Sequence, residues 1–263
     1  MSTTICRFLS TRTGEAAYGL VKDDTVYPAL PAQIFAETPA AHVWSVEGSK
    51  LSDVKLLAPV QPSKIVCVGR NYRDHAAELG NPMPDEPLLF LKPPSAVVGH
   101  TEAIELPAVS ARVEHEGELA VVIKRRARRL GDSENPLDYV LGYTCLNDVT
   151  ARDLQRRDVQ FTRGKSFDTF CPVGPFVVTG IDPFDLQVET RVNGDVRQRG
   201  RTSQMAFPVA YLIRYISHIM TLEPGDVIST GTPAGVAPLS DGDVCEVEVE
   251  GVGTLSNPVR AAE

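Results

Sequence analysis

Apolar residues in this chain fall into short runs broken by Gly, Pro, Asn or Asp, a pattern that predicts many strands and few helices. Ile5 to Leu9, Ala16 to Val21 and Thr25 to Tyr27 read as strands, with breaks at Arg12-Thr13-Gly14 and Lys22-Asp23-Asp24. Pro28 to Leu51 has weak periodicity and reads as loop with a short helix. Further strands are expected over Lys64 to Gly69, Leu88 to Lys92, Tyr139 to Leu146 and Val173 to Thr179. Leu186 to Gln198 reads as a hairpin, because Asn193-Gly194 supplies the left-handed backbone of a tight turn. Val244 to Val249 alternates apolar and acidic residues, as a half-exposed strand does. Helical spacing is clearest where Val209, Leu212, Ile213, Ile216 and Met220 share one face. A short helix is expected before Gly80, capped by Asn71 or Asp74, and another after Thr150 as cap. There is no internal repeat and no low-complexity tract.

Composition fits this pattern. Hydrophobic residues make up 43% and charged ones 23%, enough for a sizeable core, and 20 Gly with 20 Pro suit a turn-rich fold. The fold class expected is β-rich α+β, with a small N-terminal β-rich domain over residues 1–58 and a larger domain over 59–263. Pro59 and Pro62 mark the boundary. Nothing in the first unit carries evident chemistry; a lid, a dimer contact or a scaffold are its readings. A formal charge of −8 argues against a nucleic-acid surface. Cys6, Cys67, Cys145, Cys171 and Cys245 are scattered without a C-x-x-C pair, as in a reducing compartment. No signal-peptide plan opens the chain and no apolar run reaches membrane-spanning length, so a soluble, cytoplasmic protein without a membrane partner is expected.

Candidate chemistry centres on Val113 to Ile123. Its second half is an apolar strand, and residues two apart on a strand share a face, so Glu116 and Glu118 are expected to point the same way. Two buried carboxylates side by side repel, and a hard divalent cation removes that penalty. The alternative is an edge strand with both glutamates in water. His75 and Glu78 lie three apart on the expected helix, where a carboxylate can orient an imidazole as a base; a solvated pair is the bland alternative. Asp148 sits at a strand-to-helix corner, as a ligand or as a cap. Gly164-Lys165-Ser166-Phe167-Asp168 reads as a loop, where a lone Lys is ordinarily surface, and its glycine spacing is not that of a P-loop. Lys124 to Arg129 reads as a basic solvated turn. Thr230 to Val236 could offer backbone N–H groups and the Thr232 hydroxyl to an anion.

Taken in order, six motifs resemble the fumarylacetoacetate hydrolase family: Gly69-Arg70-Asn71-Tyr72 with Asp74-His75 and Glu78; Phe90-Leu91-Lys92-Pro93; His115-Glu116-Gly117-Glu118-Leu119; Asp148-Val149-Thr150-Ala151-Arg152-Asp153; Gly164-Lys165-Ser166-Phe167; and Thr230-Gly231-Thr232-Pro233-Ala234-Gly235-Val236. The resemblance runs from Lys64 to Val259. It implies a mixed β-roll with a few helices, a homodimer, and Mg²⁺ or Mn²⁺ (Ca²⁺ as a further oxygen-seeking ion) held by Glu116, Glu118 and Asp148. It further implies His75 and Glu78 as the base dyad, Lys165 as a catalytic cation, and Thr232, Arg70, Tyr72 and Gln155 as substrate contacts. The substrate class it implies is a small 2-oxo acid or diacid. Oxaloacetate decarboxylation or acylpyruvate hydrolysis through a stabilised enolate comes first, and a tautomerase or isomerase is the alternative. A catalytically silent ligand-binding protein on the same scaffold is a third reading, which the His75 and Glu78 pair argues against. Arg156 to Arg163 lacks the Trp-bearing, Lys-rich character of acylpyruvate hydrolases. With Asp168 to Pro172 it is closer to the branch of 2-hydroxyhepta-2,4-diene-1,7-dioate isomerases and oxaloacetate-handling enzymes.

Overall fold

A computed structural model describes residues 2–10, 13–36, 44 and 46–262. Arg12 of the first expected break, and residues 37–43 and 45 of the expected loop, lie outside the described residues. The fold is built around the strand Gly117–Ile123, every residue of which is buried. It pairs antiparallel with Val140–Asn147 on one side and Val227–Ser229 on the other, at the centre of a twelve-stranded sheet. Beyond Val227–Ser229 the sheet continues through Ile65–Gly69 and ends at Leu88–Lys92. In the other direction it runs through Cys171–Val178 to the N-terminal strands Thr4–Leu9, Ala16–Lys22 and Thr25–Ala29.

Two-residue alternation on the central strand explains the layering. Leu119, Val121 and Ile123 face a core that includes Val188, Ile213, Ile216, Val247 and Val249. This core packs the helix Val209–Ile219 and a five-stranded sheet against the large sheet. Ala120 and Val122 face the opposite core, with Ile5, Leu20, Ile34, Ile65 and Val173. The first strands therefore share both a sheet and a core with the chain beyond residue 58; Thr4 and Ile5 pair with Val178 and Val177. No described helix is long and apolar enough to cross a membrane.

Most expected strands form within a residue or two, and Leu88–Lys92 and Val244–Val249 match at both ends. The hairpin turn is as expected, with φ of 54° at Asn193 and 85° at Gly194. Four local expectations are corrected. Glu116 is not in a strand: pairing stops after Val113–Glu114 and resumes at Gly117, because the Glu116 N–H donates to the Asn147 side chain at 2.9 Å instead of a ladder partner. Lys165 ends a one-turn helix, Thr162–Lys165, rather than lying in a loop. Asn71 does not cap the helix Arg73–Glu78, which starts after Tyr72. Its amide instead bridges Thr230 O at 2.7 Å and both backbone groups of Phe207. Thr150 caps nothing: its hydroxyl donates to Asp148 O at 2.9 Å, and the helix Arg152–Arg157 starts after Ala151.

Asp226 closes the turn that enters the strand Val227–Ser229. Fully buried, it accepts hydrogen bonds from the backbone N–H groups of Ser63, Lys64 and Glu223 at 3.0, 3.2 and 2.8 Å, and from the Ser63 hydroxyl at 2.7 Å. Lys64 Nζ pairs with its other side. Asp226→Ala strands these donors and is expected to cost about 3 kcal/mol. Urea denaturation measures it; a loss within experimental error of zero would show that the clamp is dispensable.

Candidate active site

Where the central strands end, four carboxylates are buried together with three cations: Glu114, Glu116, Glu118 and Asp148 with Lys92, Arg152 and Lys165. Glu116, Glu118 and Asp148 each have one oxygen anchored by the scaffold. Lys92, at the end of the sheet's last strand, donates to Asp148 Oδ1 at 2.5 Å and to Val149 O at 3.0 Å. Arg152, from the helix after the Asp148 corner, donates to Glu116 Oε1 and, at 2.6 Å, to Glu114 Oε2. Glu118 Oε2 accepts the Ser229 hydroxyl and, at 2.7 Å, the Gly231 N–H. Lys165 Nζ bridges the second oxygens of two of these carboxylates, Glu116 Oε2 at 2.8 Å and Asp148 Oδ2 at 2.7 Å, and all three carboxylate side chains line the same cavity. One oxygen from each of Glu116, Glu118 and Asp148 can be chosen so that all lie within 4.8 Å of one another.

The electrostatics differ sharply within this cluster. Burial works against ionisation of Glu116, but the Lys165 ammonium and Arg152 guanidinium overcome it and hold the carboxyl below the usual range. Glu118 has no cationic partner among the described residues. Burial, with Asp148 and Glu116 as neighbouring charges, pushes its carboxyl well above the usual range despite the Ser229 and Gly231 donors. Burial pulls the Lys165 pKa down, but Asp148 and Glu116 outweigh it and raise it, which favours the ammonium. A donor set of three carboxylate oxygens, one of them lacking a counter-charge, fits a hard divalent cation.

These groups open into a cavity of about 260 Å³ lined also by Arg70, His75, Phe90, Gln155, Arg156 and Thr232. His75 is buried, with Nδ1 3.4 Å from Glu78 Oε2, which leaves Nε2 for a proton transfer. Burial lowers the imidazole pKa from its ordinary 6.5, more than nearby Glu116 raises it. Glu78 is exposed outside the lining, where both its oxygens accept the Gly235 N–H at 3.1 Å. Arg70 adopts a left-handed backbone with φ of 56° and has no charged partner among the described residues.

Three expected substrate contacts need qualification. Tyr72 is outside the cavity lining: its ring is buried in the core beside the helix Val209–Ile219, since an apolar ring gains more there than at a wet wall. Thr232 does line the cavity, but its hydroxyl donates to Gly117 O at 2.8 Å and accepts from Gln198 Nε2 at 2.7 Å, so its proton is committed. Gln155 Oε1 accepts from Arg152 at 2.6 Å, leaving its amide donors for a ligand. Sequence patterns alone assign no role to Arg152, Lys92, Arg156 or Gln198. Arg152 and Lys92 lie inside the quoted motifs, and the run from Asp148 to Arg152 is the available signal.

A β-rich fold thus brings a buried acidic triad and an imidazole into one cavity, the kind of convergence expected of an enzyme site. Residues 64–260 match the family described as fumarylacetoacetate (FAA) hydrolase C-terminal, and the chain belongs to that family. It is 57% identical to an uncharacterized protein of Archaeoglobus fulgidus, over 79% of this chain and 82% of that one. It is 47% identical to the oxaloacetate tautomerase YisK of Bacillus subtilis, over 80% of this chain and 74% of that one. The crystal structure of 2-hydroxyhepta-2,4-diene-1,7-dioate isomerase from Mycobacterium marinum superposes with a TM-score of 0.86 at 42% identity, covering 98% of each chain.

Arg152→Met removes the cation shared by Glu114 and Glu116 and leaves Arg112 and Lys165 as their remaining partners. It is expected to cost about 3 kcal/mol of stability, the range for breaking a buried ion pair. Chemical denaturation checks it, and a variant as stable as the parent would mean that the guanidinium does not hold the cluster.

Proposed function

We propose that this chain is a divalent-metal enzyme that interconverts the enol and keto forms of a small 2-oxo diacid, with oxaloacetate the first candidate. The carrying observation is the coexistence, in one cavity, of three carboxylates whose oxygens can lie within 4.8 Å of one another and a buried imidazole whose pKa burial lowers. The tautomerase and isomerase names of close relatives support placing proton transfer ahead of decarboxylation or acylpyruvate hydrolysis. Carbon–carbon cleavage is the second reading, because the Lys165 ammonium in the same cavity could stabilise an oxyanion.

Glu116, Glu118 and Asp148 would hold Mg²⁺ or Mn²⁺, which when bound supplies Lewis-acid polarisation of a 2-oxo group. The chain's own residues do the rest. Neutral His75 takes a proton from the carbon beside the oxo group of the keto form, and its return to oxygen gives the enol; the reverse path returns the keto form. Glu78, held by the Gly235 N–H, orients the imidazole. Arg70 offers an uncommitted guanidinium to a substrate carboxylate, and Gln155 offers its amide donors. Phe90 and Phe161, in edge contact at 5.7 Å between ring centres, wall the cavity from water.

Following the enol absorbance of oxaloacetate with Mg²⁺ or Mn²⁺, and pyruvate in parallel, tests the reading. Faster enol–keto exchange without pyruvate is expected; pyruvate above the metal-only background would move cleavage to first place, and no acceleration of either would leave the silent binder. His75→Ala is expected to slow exchange by about 10²–10⁴-fold. Its affinity for the metal, measured by calorimetry, should stay near that of the parent.

The pH dependence follows from the same imidazole. The base works only when neutral, and burial lowers its pKa below 6.5, so activity should hold through neutral pH and fall only below that value. At Mn²⁺ concentrations that keep the site loaded at every pH, so that protonation of Glu118 cannot set the limb, a kcat/KM profile with its acid limb above pH 6.5 would rule out His75 as the base in this setting.

A further inference from the structure

Lys165 occupies an unusual position for a group meant to act on substrate. Its ammonium is buried and donates to the second oxygens of two of the three candidate metal ligands, Glu116 Oε2 at 2.8 Å and Asp148 Oδ2 at 2.7 Å. Both carboxylates keep a second partner when Lys165 is set aside: Arg152 on the far oxygen of Glu116, and Lys92 on that of Asp148. Lys165 is thus the one cation of the three that is not needed to fix a carboxylate's direction. It also lies 5.0 Å from the centre of the Phe90 ring, a cavity-lining face able to hold a cation when the carboxylates are taken.

We propose that Lys165 is the resident counter-ion of the site, exchanged for the divalent ion. Without the ion its ammonium neutralises the Glu116 and Asp148 oxygens. Entry of the ion takes those oxygens over and releases the ammonium into the cavity, against Phe90, where a substrate anion can meet it. The inference rests on the proposed ion site and adds to it an order of events: the catalytic cation becomes available only in the loaded protein. An ammonium and a divalent ion cannot share two oxygens without repulsion, so the lysine lowers affinity for the ion as the cost of keeping the empty cluster neutralised.

The test needs no substrate. Mn²⁺ is titrated calorimetrically into ion-free parent protein, Lys165→Met and Lys165→Arg. Lys165→Met, which keeps the stem and loses the charge, is expected to bind Mn²⁺ about tenfold more tightly or better, and Lys165→Arg is expected not to gain. In the parent protein, reductive methylation read by peptide mass spectrometry should modify Lys165 faster with Mn²⁺ than without. Equal or weaker Mn²⁺ binding by a folded Lys165→Met overturns the exchange and leaves the ion site standing. If Lys165→Met does not fold, the methylation result decides, and a rate unchanged by Mn²⁺ overturns the exchange. Absence of Mn²⁺ binding in parent and variants alike would remove the ion site, and the exchange with it.

Discussion

Three carboxylate oxygens can be held close together only if something pins the other oxygen of each carboxylate, and this requirement shapes the protein. Like charges a few ångströms apart in a low-dielectric interior repel by several kcal/mol, so unanchored side chains would turn away from one another or take up protons. Here the pins come from different parts of the fold: Lys92 from the last strand of the large sheet, Arg152 from a short helix, and Ser229 with the Gly231 N–H from the end of the strand Val227–Ser229. The site therefore sits where these elements converge. The buried strand Gly117–Ile123, with apolar side chains on both faces beyond Glu118, fixes where that point lies.

A second, uncharged network frames the charged one. Gln198, from the hairpin strand Asp195–Arg201, uses its whole hydrogen-bonding capacity. Its carbonyl accepts from His115 Nδ1 and the Gly117 N–H, each at 3.0 Å, so it grips both neighbours of Glu116. Its amide donates to Thr232 Oγ1 and Pro233 O, each at 2.7 Å. The five-stranded sheet thereby holds the Glu116 corner and the glycine-bearing loop in fixed relation. Gly235 in that loop has φ of 104°, and a Cβ there would lie 2.1 Å from Arg197 O, so the close approach of loop to hairpin requires glycine.

These two networks explain which parts of the molecule were legible in the sequence. Strands such as Leu88–Lys92 and Val244–Val249 are specified by local pattern and turn residues, and they could be read directly. The acidic pair was legible only through part of its local geometry. Strand alternation was expected to aim Glu116 and Glu118 together, whereas a break in pairing at His115-Glu116, stabilised by Asn147, delivers Glu116. Arg152, Lys92 and Gln198 act on partners 36, 56 and 83 residues away, and no spacing rule reaches so far. Tyr72 and Thr232 show the converse limit. Their place in a familiar motif could be read, but the core packing of one and the committed hydroxyl of the other depend on residues contributed by distant elements.

The proposed proton chemistry needs a neutral base beside ionised carboxylates, and the structure separates His75 from Glu116 by their company rather than by depth, while Glu118, with no cation beside it among the described residues, is pushed the other way. Glu116 and His75 are both buried, yet the carboxyl is held below its ordinary pKa and the imidazole is also lowered. For Glu116 the deciding neighbours are Lys165 and Arg152, whose charges outweigh burial. For His75 burial prevails: Glu116 favours the protonated ring, Arg152 opposes it, and Glu78 interacts from a position shared with solvent. The same guanidinium therefore pushes both groups in the useful direction, favouring the carboxylate at one end and the free imidazole at the other. A divalent ion among the carboxylates would push both further the same way, since positive charge disfavours protonation of either group. Under the proposed function the arrangement is self-consistent: positive charge in the cluster favours ionised carboxylates and, by the same field, a His75 ring free to accept a proton.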